Sequence, residues 1–135
     1  MVGTTPAETI RLADEAFNRG DLDTFLSYYE NDAVIQFEPA KPVIGMRELR
    51  LRFEELMPLK PIATQERIHM IECGDLALAT TRWNVSFVNP DGTSISRGGE
   101  GTSILRRSAD GGWRVIVENP WGARVLAAAH ATPVA

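Results

Sequence analysis

The spacing of apolar residues changes once along the chain. In the first half, apolar residues recur every three or four positions, which is typical of amphipathic helices. From Thr64 onward the spacing becomes two, which is typical of strands with one buried face. The pattern therefore predicts an α+β fold with its helices collected at the N-terminal end and its sheet after them.

Helix start and stop signals predict three helices in the first half. TPAE (5–8) has the form of a capping box, with Thr5 accepting from the N–H of Glu8, and Gly20 is placed to end this first helix. Asp21 can cap a second helix whose apolar residues run to Tyr29. A third, short helix is expected to end at Pro58.

Turn signals divide the second half into long strands. GD (74–75), NPDG (89–92) and SADGG (108–112) predict tight hairpins, so the strands should form an antiparallel meander. A sheet this long must curl, and the helices should cover its concave face. A shorter strand is predicted at 34–37, followed by a loop at Pro39 and Pro42. The long strands are expected at about 64–73, 76–88, 93–107 and 113–121.

Length and charge limit the class of protein. The 135 residues suit one domain, 1–135, with a core at about 6–122 and a weakly helical tail at 123–135 whose last residues are expected to be mobile. A net charge of −4 offers no cationic field for nucleic acid, and no apolar stretch is long enough to span a membrane. The lone Cys73 fits a reducing compartment. We expect a soluble, cytoplasmic protein.

Sequence signs of metal, nucleophilic or nucleotide chemistry are missing. His69 and His130 are distant from each other, with no acidic cluster at ligand spacing, and Cys73 has no evident base. Neither a P-loop nor a dinucleotide-binding glycine motif is present. We therefore predict no metal site and no cofactor.

The order of these segments resembles a known family. RGDLD (19–23), NDAV (31–34), PVIG (42–45) and DGGWRVIVENPWG (110–122) are spaced as in the SnoaL-like and ketosteroid isomerase-like branch of the NTF2-like superfamily. The resemblance covers about residues 6–122. It implies a cone-shaped fold with a deep pocket between sheet and helices, and a homodimer packed through the sheet. It does not imply one reaction, because members include enzymes and plain binding modules.

The ketosteroid isomerase pattern of a carboxylate base, a tyrosine and a protonated acid can be mapped onto this chain. The tyrosine position corresponds to Ala13, and the acid position corresponds to Thr102. The base position corresponds to Phe37 or Glu38, depending on the alignment. At least two of the three groups are absent, so isomerisation by that mechanism is disfavoured. An Asp–Arg–Asp set like that of epoxide hydrolases of this fold is also not found.

Three residues are the candidate catalytic groups. Glu38 and Glu100 are the best carboxylates for a general base, although Glu100 in GGEGTS (98–103) is more simply read as a solvated charge. Asn119 is expected on the same face of its strand as Val117 and Trp121, because side chains alternate along a strand. If that face is buried, the Asn119 amide could orient a ligand carbonyl.

Aromatic residues and one threonine are expected to line the pocket. Packing alone would also explain their burial, so contact with a ligand is a hypothesis. Two functions stay open: a cofactor-free isomerase, cyclase or lyase acting on a small apolar carbonyl compound, and a non-catalytic binding or association module. The predicted substrate-binding residues are Phe17, Phe37, Phe53, Trp83, Phe87, Thr102 and Trp121.

Overall fold

A computed structural model describes residues 3–127 of the chain. The helices are α1 (Pro6–Asn18), α2 (Leu22–Leu26) and α3 (Met46–Leu56), and short 3₁₀ turns follow at Met57–Leu59 and Gly122–Ala127. The strands are β1 (Tyr29–Glu38), β2 (Lys41–Ile44), β3 (Ile62–Cys73), β4 (Leu76–Val88), β5 (Ser94–Arg107) and β6 (Trp113–Asn119).

The strands form one curved sheet in the order β2-β1-β6-β5-β4-β3. Strands β3 to β6 are the predicted antiparallel meander, and β1 adds to β6 in parallel. The helices lie on the concave side, and the sheet does not close on itself. The predicted α+β class, with a curved sheet and helices at the N-terminal end, is confirmed.

Apolar packing and a few hydrogen bonds, one of them buried, hold α1 against the sheet. The hydroxyl of the fully buried Thr9 donates to the Trp113 carbonyl at 2.9 Å. At the other end of α1, the Asn18 amide pairs with the backbone of Ala63 in both directions, at 2.9 and 2.7 Å. These contacts join α1 to β6 and β3, which lie far apart in the strand order, and so fix the space enclosed between them.

Two sequence predictions in this region are wrong. The second helix ends at Leu26, and Tyr29 begins β1 instead of continuing the helix. The reason is long-range pairing, since the Val115 N–H donates to the Tyr28 carbonyl at 2.9 Å. The predicted loop containing Pro42 is instead strand β2. Pro42 is tolerated there because β2 lies at the edge of the sheet, where no second neighbour needs its missing N–H.

The end of the chain is only partly described. Residues 122–127 form a 3₁₀ turn, in keeping with a weakly helical start to the tail. The predicted mobile segment and His130 lie outside the described residues. Within residues 3–127, no helix combines the length and apolar character needed to cross a bilayer.

Candidate functional site

A cavity of about 370 Å³ lies between the concave face of the sheet and helices α1 and α3. Its wall is mainly aromatic and aliphatic, which is the usual composition of a small-molecule site. All of the predicted substrate-binding residues form part of this wall: Phe17, Phe37, Phe53, Trp83, Phe87, Thr102 and Trp121. The structure thus brings them together, while their contact with a ligand stays a prediction.

The two tryptophans are fixed by their indole N–H groups. Trp83 Nε1 donates to the Pro120 carbonyl at 2.8 Å, and Trp121 Nε1 donates to the Phe37 carbonyl at 3.2 Å. A buried indole needs such a partner. Because both polar atoms are satisfied by backbone, the rings present apolar surface to the cavity.

A β-bulge decides which side chains of β6 face the cavity. Val117 pairs with Ile104 but Val115 pairs with Leu105, so Ile116 is the extra residue. The bulge reverses the alternation, and Val115 and Glu118 both line the cavity. Val117 is instead 40% exposed. Of Val117, Asn119 and Trp121, which the sequence predicts on one face, only Trp121 lines the cavity.

Asn119 does not line the cavity. Its side-chain amide donates to the Gly122 carbonyl at 3.1 Å and accepts from the Trp121 N–H at 3.2 Å. Both contacts are local, so Asn119 shapes the turn that carries Trp121 into the wall. The bulge at Ile116 is the physical reason for its changed orientation.

The structure also places Glu38 and Glu100 outside the cavity wall. The Glu38 side chain is 54% exposed and lies 3.6 Å from Arg52. The Glu100 side chain is 69% exposed and forms an ion pair with Arg82 at 2.9 Å on the outer face. Neither residue is enclosed, as a general base in an apolar pocket would need to be.

The glycines around Glu100 make room for backbone at Gly101 and for the Arg124 side chain at Gly99. A Cβ on Gly101 would lie 2.8 Å from the Asn119 carbonyl oxygen, and one on Gly99 would lie within the Arg124 guanidinium. The chain after β6 therefore crosses directly over β5. This crossing puts Pro120 and Trp121 over the cavity, which explains the glycine-rich sequence.

Two carboxyl groups that are not among the predicted site residues lie in the cavity wall. Asp14 comes from α1 and Glu118 comes from the end of β6. Tyr29 Oη donates to Glu118 Oε1 at 3.0 Å. Ser103 pairs with Glu118 across the adjacent strand and also lines the cavity. Asp14 is close enough to Glu118 for its charge to raise the pKa of that carboxyl, so the two acidic groups face the same cavity as near neighbours.

Burial shifts the acidity of these groups towards neutral pH. Desolvation raises the pKa of Asp14 to about 6, against a smaller opposing effect of a hydrogen bond from Gln65. Desolvation also raises the pKa of Glu118 to about 7, with a hydrogen bond from Tyr29 lowering it and the Asp14 charge raising it. The pKa of the buried Tyr29 lies well above its usual value, chiefly because of desolvation. A cavity with two such carboxyls can move protons at neutral pH.

Only one of these two acids left a signal in the sequence. Asp14 lies at helical spacing from Ile10 and Phe17, so it interrupts the buried face of α1. A charge at such a position is a recognisable sign of a site. Glu118 could not be found from alternation, because the bulge at Ile116 reverses it.

A metal site or a reactive cysteine has little support in the described part of the chain. No group of three or more His, Cys, Asp or Glu side chains in residues 3–127 could hold a metal ion. His69 is an exposed residue of β3, and Cys73 is exposed at the end of the same strand.

Comparison with known families identifies the fold. The profile described as "SnoaL-like domain" matches residues 10–116, which is most of the chain. The chain belongs to the SnoaL-like domain family. The matched region contains most of the cavity wall and includes Asp14, but it ends two residues before Glu118. Comparison of this SnoaL-like chain with curated proteins gives no match.

Solved structures share the fold of this SnoaL-like chain at low sequence identity. A protein from Novosphingobium aromaticivorans, provisionally described as an aromatic ring hydroxylase, is 18% identical with a TM-score of 0.76, covering 84% of this chain and 82% of that one. A provisional dehydratase of the NTF2-like family from Streptomyces avermitilis is 19% identical with a TM-score of 0.72, covering 83% and 91%. A provisional ketosteroid isomerase from Shewanella frigidimarina is 19% identical with a TM-score of 0.71, covering 87% and 96%.

Proposed function

We propose that this SnoaL-like protein is a cofactor-free isomerase, cyclase or lyase that acts on a small apolar carbonyl compound by general acid and base catalysis. One observation carries the proposal: Asp14 and Glu118 lie in an aromatic cavity with pKa values of about 6 and 7. Perturbed carboxyls in an enclosed cavity are a mark of catalytic sites.

The two pKa values divide the roles. At pH 7 Asp14 is mostly ionised and serves as the base, whereas Glu118 is about half protonated and serves as the acid. Asp14 takes a proton from the carbon next to the carbonyl, and the C–H electron pair forms the C=C bond of an enol. Glu118 gives its proton to the carbonyl oxygen. If the substrate has a further C=C bond conjugated with this enol, return of the proton from Asp14 to the far carbon of that bond, with the O–H proton going back to Glu118, completes an isomerisation. If the β-carbon carries a leaving group, its departure as the O–H proton goes back to Glu118 completes an elimination.

The remaining residues bind and orient the substrate. Phe17, Phe53 and Trp83 provide the apolar surface, in keeping with the predicted substrate-binding set. Tyr29 holds the Glu118 carboxyl in place through its hydroxyl. No cofactor is needed, because both proton transfers use groups of this chain.

Hydrogen–deuterium exchange tests the reaction without knowledge of the natural substrate. The protein is incubated with trans-2-decalone in D₂O, and loss of the signals of protons next to the carbonyl is followed by NMR. We expect exchange that is fastest between about pH 6 and 7, because it needs ionised Asp14 and protonated Glu118. Asp14→Asn and Glu118→Gln should each slow exchange by about 10²-fold or more.

Matched variants outside the cavity provide the controls. Asp23 is exposed and paired with Arg50, and Glu100 is exposed and paired with Arg82. Asp23→Asn and Glu100→Gln should leave the exchange rate unchanged. If all four variants exchange like the unchanged protein, or if no exchange above the buffer rate is seen, the cavity is not an acid–base site for ketones and the binding-module alternative gains support.

We also propose that the protein acts as a homodimer packed through the sheet. An apolar row crosses the outer face of four adjacent strands, since Ile71 pairs with Leu78, Leu78 with Ile104, and Ile104 with Val117. Ile71, Leu78 and Val117 are 55%, 38% and 40% exposed. A continuous apolar row on an open sheet face is typical of an interface. We further propose a cytoplasmic location, because the single cysteine, Cys73, is exposed as a free thiol, which suits a reducing compartment.

Light scattering of the purified protein tests the dimer. The unchanged protein should have twice the mass of the chain, and Leu78→Lys should convert it to the monomer mass by placing a charge at the centre of the apolar row. Thr80→Lys is the control, because it places the same charge on the neighbouring row of the same face. It should shift the mass towards that of the monomer less than Leu78→Lys does. A monomer mass for the unchanged protein would refute the proposal.

A further inference from the structure

A positive charge faces the cavity from β5. Arg97 lines the cavity, and it pairs across the sheet with Val85, which also lines it. Among the residues that the structure describes, Arg97 is the only basic residue of the cavity wall. Arg97 is also exposed, so it lies at the mouth of the cavity, where both water and a ligand can reach it.

A second arginine lies beside the first. The Arg124 guanidinium occupies the place that a side chain at Gly99 would fill. Gly99 and Arg97 are two positions apart in β5, so both face the concave side, about 7 Å from each other. Trp121 of the wall holds Arg124 there: the guanidinium carbon lies 4.8 Å from the centroid of the Trp121 ring, and Nε donates to the Trp121 carbonyl at 3.4 Å.

These two arginines at the mouth have no acidic partner in the described part of the chain. Eight of the other ten arginines form an ion pair with a carboxylate, whereas Arg97 and Arg124 form none within residues 3–127. Neighbouring guanidinium groups repel each other, and an anion bound to both offsets the repulsion. Their planar N–H donors match the oxygens of a carboxylate. The pair therefore has the composition of a carboxylate-binding site.

The basic and acidic groups lie at different ends of the cavity. Glu118 pairs with Ser103, which is six positions along β5 from Arg97. At about 3.4 Å per residue, this separation is about 20 Å of strand. A ligand carboxylate is repelled by ionised Asp14 beside Glu118 and attracted to the arginines. The charges therefore favour one orientation, in which the carboxylate points out of the cavity.

We propose that the ligand of this cavity carries a carboxylate that binds to Arg97 and Arg124, so that the substrate is a carbonyl compound with an apolar body and an acidic end. This inference rests on the proposed function and narrows its substrate class. The apolar body packs against Trp83, and the carbonyl group reaches Asp14 and Glu118. A neutral compound of the same shape lacks the ionic contact and binds less tightly.

Binding of two probes of nearly equal size tests this inference by equilibrium dialysis at pH 7. The probes are 2-naphthoate and 2-naphthamide, which differ in a carboxylate against a neutral carboxamide. The measured quantity is the ratio of the dissociation constant of the amide to that of the acid, which removes effects on the cavity as a whole. The unchanged protein should prefer the acid. Arg97→Gln and Arg124→Gln should each lower this preference by about three- to tenfold.

Arg47→Gln is the matched control, because Arg47 is exposed on α3 and is not part of the cavity wall. It changes the net charge by the same amount, and its probe ratio should equal that of the unchanged protein. Arg97→Lys keeps the charge and should retain more of the preference than Arg97→Gln does. If Arg124→Gln does not fold, because Arg124 packs on Trp121, the Arg97 variants decide the test.

Three results would overturn the inference: equal binding of the two probes by the unchanged protein, a probe ratio that is unchanged in either folded glutamine variant at the mouth, or an equal fall of the ratio in Arg47→Gln. The proposed reaction is tested separately by deuterium exchange of trans-2-decalone, which has no carboxylate. Exchange with an unchanged probe ratio would leave the acid–base function in place and remove the carboxylate requirement. A lower ratio without exchange would establish the carboxylate subsite in a binding protein.

Discussion

Glu118→Gln should make the protein more stable at alkaline pH and leave it nearly unchanged at acid pH. In the folded protein the pKa of Glu118 is about 7, compared with a reference value of 4.5. Between these values the folded state holds a proton that the unfolded state has lost, so folding stability falls as the pH rises through this window. Above pH 7 the full cost of a buried charge is present. Glutamine can still accept from Tyr29 but carries no charge.

The size of the effect follows from the shift. A change from 4.5 to about 7 is 2.5 pH units, and at about 1.4 kcal/mol per unit this is roughly 3 kcal/mol. For a chain of this length, such a difference corresponds to about 10 °C in Tm. The stability gained by Glu118→Gln should therefore rise from near zero at pH 4.5 to this order at pH 8.

Thermal unfolding of the unchanged and variant proteins at several pH values between 4.5 and 8 measures the effect. Glu100→Gln is the matched control, because Glu100 forms an exposed ion pair whose contribution is small. Its effect on Tm should be small throughout this range. If the difference in Tm between Glu118→Gln and the unchanged protein is the same at pH 5 and pH 8, the pKa of Glu118 is not raised in the folded protein.

Three further results are expected. Asp14→Asn should lower the pKa of Glu118, because it removes a nearby negative charge. Carboxyl ¹³C NMR can follow the titration of Glu118 in this variant. A pKa of Glu118 at or above its value in the unchanged protein would show that the Asp14 charge does not act on Glu118. Phe53→Ala should lower the free energy of unfolding, measured by chemical denaturation, by about 3–5 kcal/mol, because Phe53 packs against Phe25 with ring centroids 4.8 Å apart. A loss below about 1 kcal/mol would show that this aromatic packing contributes little to stability. Gly101→Ala should lower Tm, because the added Cβ would lie 2.8 Å from the Asn119 carbonyl oxygen. Gly92→Ala is the control, since its Cβ meets no atom within 4 Å and is strained only by the positive φ of the backbone. An equal loss of Tm in the two variants would argue against the close crossing of β5 by the chain after β6.

Local signals predicted the elements that depend on local interactions. Thr5 Oγ1 accepts from the Glu8 N–H at 3.1 Å, as the capping box indicates, and α1 begins at Pro6. Gly74, Gly92 and Gly111 have positive φ angles at the predicted hairpins. The strand bounds followed from these turns, because alternation between them fixes a strand without any long-range information.

Features set by distant parts of the chain could not be predicted in this way. Strand β1 starts at Tyr29 because β6 pairs with it, 86 positions later in the register Tyr29↔Val115. The bulge at Ile116 turns Glu118 into the cavity and Asn119 out of it, and no residue there signals a bulge. The aromatic wall was predictable because burial follows apolar character, and Asp14 because it interrupts the apolar face of α1. The place of Glu118 was not predictable, because it depends on that single extra residue.

This cavity holds two carboxyl groups whose pKa values burial raises towards neutral pH. Carboxyl ¹³C NMR of the unchanged protein, with Asp14→Asn and Glu118→Gln used to assign the two resonances, measures this directly. We expect Asp14 to titrate near pH 6 and Glu118 near pH 7. Titration of both groups near pH 4 would mean that water reaches them freely, and it would contradict the acid–base site.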